Sequence, residues 1–329
     1  MGTGSFFCSL KNEPVPIILG PTASGKTEIA LKLAKRLNTE IISADPMLVY
    51  KGFDIGTAKP SPEDLKSIKH HLVDILEPDE VFSAADFASQ ARKIIKDLLD
   101  RGKIPIVVGG TGLYIRILIN GIFEAPKPDW DLRKKLEEEA KLKGSGFLYE
   151  KLLNIDPETA KKLHKNDLRR IIRAIEIYEL TGKQISLWKK LKNTTDEFDF
   201  IMVGLKRDRA ALYDRVNNRV DDMIKNGFVS EVETLLSKHK KNAPAFKGLG
   251  YKELAEFLTN SQQITKYNLV DVIDKIKINT RRYVKRQITW FKKEPGIIWI
   301  NLEEKDISED IVEKIIKLLK PDTLLSRKE

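Results

Sequence analysis

The chain has 329 residues, enough for one large domain or two with a sizeable core. Its 58 lysine and arginine residues outnumber 48 aspartate and glutamate residues, so the net charge is +10, which suits a polyanionic partner without establishing one. The single cysteine, Cys8, excludes a disulfide framework and a cysteine-based metal site, and no apolar run is long enough to span a membrane.

Residues 1–13 lack the basic flank and long apolar core of a secretory signal. We interpret them as a flexible leader. They also miss the myristoylation pattern, since Phe6 stands where serine or threonine is needed. We therefore expect a cytoplasmic protein.

A phosphate-binding loop follows the first predicted strand. The sequence GPTASGKT lies between the apolar run VPIIL and the helical pattern EIALKLAKRL. A strand, a glycine loop and a helix in this order aim backbone N–H groups and a helix N-terminus at phosphate oxygens. Lys26 would reach the terminal phosphates and Thr27 would offer its hydroxyl to Mg²⁺, whereas the alternative is a chance glycine-rich turn. The predicted phosphate-binding residues are Gly20, Pro21, Thr22, Ala23, Ser24, Gly25, Lys26 and Thr27.

Asp45 ends the second predicted strand, EIISA, at the sheet edge where the phosphate loop lies. Spacing alone leaves three roles open for this carboxylate. It could be an outer-shell ligand of Mg²⁺, a general base, or a cap on the following turn.

A second glycine cluster, VGGTGLY, follows the apolar run IPIVV. Its glycines allow close backbone approach, and Thr111 can donate or accept a hydrogen bond. A plain strand-to-helix turn is the alternative. The cluster lacks the acidic residue that kinases usually carry at the end of such a strand, which argues mildly against an ordinary nucleoside triphosphatase.

Strand-like runs alternate with helical patterns along most of the chain, which predicts an α/β fold with a parallel sheet flanked by helices. Residues 127–197 are charged, helix-rich and nearly free of strand patterns, so they are predicted to form a helical insertion. The α/β core then comprises residues 14–126 and 198–305, and residues 306–329 form a C-terminal helix and tail.

Three basic stretches have helical spacing: NDLRRIIRAIEIYEL, DRAALYDRVNNRVDDMI and RRYVKRQITWFKK. Arg169 and Arg173 share one helix face, as do Arg215 and Arg219. Each stretch taken singly is typical of a solvated helix face. Together with the net charge they favour backbone contacts to nucleic acid.

The motifs taken in order are GPTASGKT, EIISAD, DIGTAKP, HHLVDI, VGGTGLYI, HKNDLRRIIRAIE, GLGYKEL and RRYVKRQITWF. This ordered set closely resembles that of the tRNA dimethylallyltransferases, from about Pro16 to Trp299. A phosphate loop alone is common to many families, but the ordered set is specific to this one. The resemblance implies a phosphate-loop (P-loop NTPase-like) fold.

The resemblance also implies a reaction and a set of site residues. In this family a dimethylallyl group passes from dimethylallyl diphosphate to the N6 amine of an adenosine adjacent to the anticodon of tRNA, and diphosphate is released. The phosphate loop then binds a prenyl diphosphate with Mg²⁺, and Arg219 closes over the diphosphate. Asp45 is implied to be the general base, and Thr111 lies near the reacting amine or the donor.

The family assigns tRNA contact to the loop that begins at Asp45 and to positions in the helical insertion. The implied tRNA-binding residues are Asp45, Pro46, Met47, Leu48, Thr111, Arg133, Arg169, Arg170, Ile171, Ile172 and Arg173. Gln287 belongs to the family signature RQ-x-TW, and its role is either structural or tRNA-facing. A monomer is expected.

Two departures from the family pattern concern the loop after Asp45. The family usually has D-S-x-Q, whereas this chain has Pro46 and Leu48 at the serine and glutamine positions. Leucine cannot make the hydrogen bonds of glutamine and proline has no N–H, so we expect this loop to read nucleotides less tightly than in the family. In a second motif the family usually has H-P-N-D, and this chain has Lys165 at the proline position. The rival functions are a small-molecule kinase that uses ATP and a catalytically impaired RNA-binding relative.

Overall fold

The computed structural model describes residues 13–121, 126–190, 197–260, 268–303 and 308–319. Within these residues six strands form one parallel sheet: Val15–Leu19 (β1), Ile41–Ser43 (β2), His70–His71 (β3), Ile106–Gly109 (β4), Phe200–Lys206 (β5) and Ile297–Asn301 (β6). The order across the sheet is β3-β2-β4-β1-β5-β6, and every neighbouring pair is parallel. The predicted α/β class with a parallel sheet is confirmed.

The helices follow the strands along the chain. They are Lys26–Leu37 (α1), Pro62–Ser67 (α2), Ala84–Asp100 (α3), Gly112–Asn120 (α4), Trp130–Lys143 (α5), Ser145–Ile155 (α6), Pro157–Ala160 (α7), Leu168–Thr181 (α8), Ile185–Lys190 (α9), Arg209–Lys225 (α10), Phe228–Lys238 (α11), Tyr251–Asn260 (α12), Leu269–Phe291 (α13) and Ser308–Leu319 (α14). A short 3-10 helix spans Pro244–Lys247.

The central strand β1 is buried on both sides, because helices cover both faces of the sheet. Its alternate residues enter two different cores, as the two-residue period of a strand requires. Ile17 packs in a core that includes Phe87 of α3, while Ile18 packs with Leu33 of α1 and Ile315 of α14. The two cores hold the carboxyl ends of the strands in fixed register.

Residues 120–195 form a second compact unit, separate from the unit of residues 1–119 and 196–329. Its core is built by apolar residues of α5, α6 and α8, among them Leu136, Leu152 and Ile175. The sequence placed the insertion at residues 127–197. Residues 1–12 of the predicted leader (1–13) lie outside the described residues, as do residues 306–307 and 320–329 of the predicted C-terminal helix and tail (306–329).

Strand β3 was not predicted from the sequence. It has only two residues, and adjacent histidines carry no alternating apolar pattern. His70 and His71 enter the sheet through backbone pairing with Ile41 and Ile42. Their backbone therefore extends the sheet beyond β2.

Candidate active site

The phosphate loop connects β1 to α1 at the carboxyl edge of the sheet. Gly20 has φ +152°, and a Cβ atom there would lie 2.7 Å from the carbonyl oxygen of Leu205 in β5. Gly25, with φ +100°, is the residue that precedes α1. Both positions require glycine, because left-handed backbone or close approach of a neighbouring strand excludes a side chain. The Oγ atom of Ser24 is buried and makes no hydrogen bond within the described residues.

A cavity of about 500 Å³ opens above this loop. The parts of the chain that line it include the phosphate loop, the ends of β2 and β4, α10 and α13. The predicted site residues in its wall are Thr22, Ala23, Gly25, Lys26, Thr27, Asp45, Leu48 and Arg219. The fold thus brings the phosphate loop, Asp45 and Arg219 together, as the sequence predicted.

Lys26 begins α1 and its Nζ donates to the carbonyl oxygen of Pro21 at 2.7 Å. Burial and, next, the nearby Arg219 charge lower the pKa of this ammonium group to about 7, against the opposing effect of Asp45. A buried cation favours an anionic ligand, because the negative charge of a phosphate would offset the hydration that the ammonium group loses on burial.

Asp45 follows β2 and is anchored by the backbone of the next turn. Its Oδ1 accepts the N–H of Met47 at 2.8 Å, and the N–H of Leu48 stabilises the carboxylate charge as well. Burial nevertheless raises its pKa, against the effects of these bonds, Lys26 and Arg219. Because both donors lie beyond Pro46, the missing proline N–H leaves the carboxylate anchored.

Two arginines one turn apart in α10 hold two different loops. Arg215 Nε donates to the carbonyl oxygen of Ala23 in the phosphate loop at 3.0 Å. Arg219 Nη2 donates to the carbonyl oxygen of Thr57 at 3.2 Å. Helix α10 therefore connects the phosphate loop with the loop that follows Asp45.

Thr111 precedes α4, and its Oγ1 is buried. The Tyr283 hydroxyl of α13 lies nearby, and its pKa is raised to about 12, first by burial and next by the Asp45 charge. The side chains of Tyr283 and Thr111 interact, so the buried threonine hydroxyl is not isolated. A hydroxyl can both donate and accept a hydrogen bond, which leaves Thr111 able to contact a substrate.

Gln287 of α13 is 5% exposed and connects the two glycine loops. Its Oε1 accepts the N–H of Thr22 at 2.9 Å, and its Nε2 donates to the carbonyl oxygen of Gly110 at 2.9 Å. A Cβ atom on Gly110 would lie 2.5 Å from that Nε2. Of the two roles that the sequence left open, the structure supports the structural one. The long sequence separation of these residues concealed the contact.

A second cavity, of about 370 Å³, shares five residues with the first: Thr22, Asp45, Thr57, Arg219 and Tyr283. Its remaining wall is more apolar and includes Met47, Val220 and Phe228, while Lys247 and Arg286 are basic. Pro46 also lines this cavity. Asp45 therefore faces two cavities of different character.

The structure corrects two of the predicted tRNA contacts. Ile171 and Ile172 are 0% and 4% exposed, and they pack in the core of residues 120–195. Side chains this deeply buried have almost no surface for a polynucleotide to contact, so this part of the prediction was wrong. Arg169 and Arg170 lie on the exposed face of the same helix, α8, where Arg170 pairs with Asp167 at 3.2 Å.

Arg133 and Arg173 converge on a single buried carboxylate. Both guanidinium groups pair with Glu176, which is 0% exposed and also accepts the N–H of Asp129 at 2.7 Å. Burial alone would raise the pKa of Glu176, but the two arginines outweigh it and hold the pKa below its ordinary value. These arginines therefore form an internal ion-pair network. A tRNA phosphate would have to compete with Glu176 for their guanidinium groups.

Thr27 is exposed and lines the first cavity. Among the described residues no group of three or more histidine, cysteine, aspartate or glutamate side chains could hold a metal ion. Mg²⁺, however, takes few protein ligands where phosphate oxygens are present. A threonine hydroxyl beside a phosphate loop fits that mode of coordination.

In the described part of the chain, no helix is long and apolar enough to cross a membrane.

Comparisons with known proteins agree with this geometry. A family model described as IPP transferase matches residues 48–294. The tRNA dimethylallyltransferase of Thermoanaerobacter sp. (strain X514) is 49% identical over 313 residues, covering 93% of this chain and 97% of that protein. That of Alkaliphilus oremlandii (strain OhILAs) is 50% identical over 303 residues, covering 92% and 95%. The chain belongs to the tRNA dimethylallyltransferase family. The resemblance found in the sequence motifs is thus confirmed.

Solved structures named for this enzyme family share the fold. The tRNA isopentenylpyrophosphate transferase from Bacillus halodurans is 38% identical with a TM-score of 0.69, covering 96% of this chain and 99% of that chain. A eukaryotic dimethylallyltransferase described as acting on tRNA is 28% identical with a TM-score of 0.78, covering 95% and 85%. The P-loop NTPase-like sheet expected of tRNA dimethylallyltransferases is confirmed.

Proposed function

We propose that this chain transfers a dimethylallyl group from dimethylallyl diphosphate to the N6 amine of an adenosine adjacent to the anticodon of tRNA. The observation that carries the proposal is the position of Asp45 in the walls of two cavities. One cavity has the phosphate loop as its floor and suits the diphosphate. The other is more apolar, has basic residues in its wall and suits an extruded base. We place the reaction in the cytoplasm and expect a monomer to carry it out.

The leaving group is stabilised from the phosphate-loop side. As the C–O bond of the donor breaks, negative charge accumulates on the diphosphate, where loop N–H groups, Lys26 and Arg219 provide positive charge. Mg²⁺ held by the Thr27 hydroxyl and phosphate oxygens would neutralise part of the same charge. The firm attachment of the loop through Arg215 and Gln287 keeps these donors in place before the reaction begins.

Asp45 acts on the other partner of the reaction. The adenine N6 lone pair is delocalised into the ring, so the amine is a poor nucleophile until it loses a proton. As the new C–N bond forms, the Asp45 carboxylate takes that proton, a contribution of about 10²–10⁴-fold. Burial, which raises the pKa of Asp45, makes it a stronger base. Thr111, whose hydroxyl is buried beside Tyr283, would bind the amine or the donor.

The tRNA backbone would meet positive charge near the second cavity. Helix α13 exposes Arg282, Lys285 and Arg286, and Arg286 also lines that cavity. Two further exposed cations, Lys292 and Lys293, follow the end of the helix. Lys247 adds a further exposed cation at the same wall. Phosphate contacts from such residues position a nucleic acid without reading its sequence.

One experiment tests the function and its rivals. The protein is incubated with dimethylallyl diphosphate, Mg²⁺ and unmodified tRNA, and the digested nucleosides are weighed by mass spectrometry. A dimethylallyl mass gain on adenosine supports the proposal. ATP consumption with phosphorylation of a small molecule, and no such mass gain, indicates a kinase. Binding of tRNA without either activity indicates an impaired relative. Either of these results would refute the proposal.

A further inference from the structure

Glu231, in α11, accepts four hydrogen bonds and lines neither cavity, although two of its donors, Gly56 and Tyr251, line the second. Its carboxylate accepts three consecutive backbone N–H groups, from Asp54 at 3.1 Å, Ile55 at 2.7 Å and Gly56 at 3.3 Å. It also accepts the hydroxyl of Tyr251 at 2.5 Å. A carboxylate that accepts three adjacent N–H groups fixes the conformation of that loop, because each hydrogen bond restricts the backbone dihedral angles beside it.

The same loop lies against aromatic rings and cannot shift toward them. A Cβ atom on Gly56 would lie 2.2 Å from Cε2 of Phe228 and 2.6 Å from Cε2 of Tyr251. These two rings pack edge to face at 4.9 Å. Glycine at position 56 therefore lets the backbone rest on the rings while Glu231 holds its N–H groups.

The residue that follows this anchored segment reaches the active site. The carbonyl oxygen of Thr57 accepts Nη2 of Arg219 at 3.2 Å, and both residues line both cavities. Arg219 in turn acts electrostatically on Lys26 and on Asp45. A shift of residues 54–56 would move the Thr57 carbonyl and, with it, the arginine.

We propose that Glu231 is a positioning residue for the transfer reaction. It fixes residues 54–56 so that the Thr57 carbonyl holds the Arg219 guanidinium beside Lys26 and Asp45. The inference rests on the proposed role of Arg219 in binding the diphosphate. Because an active-site group misplaced by about 1 Å can cost about 10²-fold in rate, an anchor outside the cavity can control catalysis.

The test compares Glu231→Gln with Glu233→Gln. Glutamine keeps the size of residue 231 but removes the charge and one acceptor oxygen, whereas Glu233 is an exposed glutamate two residues further along α11. Assays are run well below the lower of the melting temperatures, so that only folded protein is measured. For Glu231→Gln we expect kcat/KM for dimethylallyl diphosphate to fall about 10–100-fold with an unchanged Kd for tRNA. Glu233→Gln should match the wild type.

A double-mutant cycle separates positioning from general stabilisation. If Glu231 acts through Arg219, Glu231→Gln should cost little further activity in a protein that already carries Arg219→Gln. Fully additive losses would overturn the proposal. A lower melting temperature with unchanged kcat/KM would overturn it as well, because that pattern indicates a structural role alone.

Binding of inorganic diphosphate, measured by calorimetry without tRNA, keeps the inference separate from the proposed function. Absence of prenyl transfer by the wild-type protein would refute the function, while weaker diphosphate binding by Glu231→Gln would still support the positioning role. If Glu231→Gln does not fold, Glu231→Asp is measured in the same way, since it keeps the charge but shortens the reach. Wild-type kinetics and diphosphate affinity in that variant would overturn the inference.

Discussion

Gln287 accepts a hydrogen bond from the backbone N–H of Thr22 at 2.9 Å, across 265 positions of sequence. Through its Nε2 the same side chain holds the carbonyl oxygen of Gly110. One buried amide thus connects the basic helix α13, the phosphate loop and the glycine loop that precedes Thr111. The proposed diphosphate site and the proposed base site are therefore held in one fixed arrangement.

Replacing Gln287 tests this connection. We expect Gln287→Met, which fills a similar volume without polar atoms, to destabilise the protein by about 1–3 kcal/mol, because two buried backbone groups lose their partner. Transfer should fall by more than tRNA binding. Thermal unfolding and kinetics, with Thr289→Ala in the same helix as control, measure both effects. A variant of wild-type stability and activity would mean that the amide is dispensable.

Asp45→Asn tests the general base. We expect transfer to fall by about 10²–10⁴-fold while the affinities for diphosphate and tRNA remain close to wild type. Asp199→Asn, at an exposed position before β5, is the matched control. Near-normal turnover by Asp45→Asn would exclude the base assignment.

The pH profile of the wild-type enzyme provides an independent check on Asp45. Burial raises its pKa above the ordinary value of 3.8, so the basic form is lost as pH falls through the raised pKa. We expect kcat/KM to decline on the acid side from a pH above 3.8. The residual activity of Asp45→Asn should lack this limb, and a limb that persists in the variant would have to arise from another group.

Much of the site follows from sequence because its residues lie at the ends of predicted strands. Parallel strands bring their carboxyl ends to one edge, so the phosphate loop and Asp45 could be placed together from order alone. Thr111 was assigned to the site by the family resemblance. Gln287 and Glu231 could not, since each acts on backbone groups that are distant in sequence. Nothing in a helical pattern states which loop a side chain will reach.

The errors in the predicted tRNA contacts have a similar cause. The run RRIIR marks a helix, but its 3.6-residue period places the two isoleucines inward while Arg169 and Arg170 face out. The pairing of Arg173 with Glu176 depends on tertiary packing and on how both groups are buried. Motif resemblance marked the segment without separating its exposed residues from its core.

Lys26 should make diphosphate binding depend on pH. Its pKa of about 7 leaves it largely neutral at pH 8 in the free protein, and a bound diphosphate would favour the protonated form. We expect proton uptake on binding at pH 8, measured by calorimetry in buffers of different ionisation enthalpy. Lys26→Met should abolish both binding and uptake. Lys35→Met, an exposed position in the same helix, should change neither.

The same group should affect stability with a definite sign. Between pH 7 and the ordinary lysine pKa of 10.5, the unfolded chain binds more protons at this position than the folded protein. The contribution of Lys26 to the free energy of unfolding therefore rises with pH across that window. Lys26→Met should remove this contribution and stabilise the free protein most at and below pH 7. Equal stability changes at pH 6 and pH 10 would contradict the lowered pKa.

Replacement of two arginines of α8 by alanine should affect two different properties, tRNA binding for Arg169 and protein stability for Arg173. Arg169 is exposed, so Arg169→Ala should weaken tRNA binding and lower the log–log salt slope by about 0.7–0.9 if it contacts one phosphate. Arg173 shares the buried Glu176 with Arg133, so Arg173→Ala should instead cost about 1–3 kcal/mol of stability.

Salt-dependent binding and thermal unfolding of the two variants, measured in parallel, separate these roles. Glu176 keeps Arg133 and the Asp129 N–H after Arg173→Ala, so the protein should remain folded and measurable. Its tRNA salt slope should then equal that of the wild type, because an internal ion pair releases no counterion from the tRNA. A slope lowered as much as in Arg169→Ala would show that tRNA binding draws Arg173 away from Glu176.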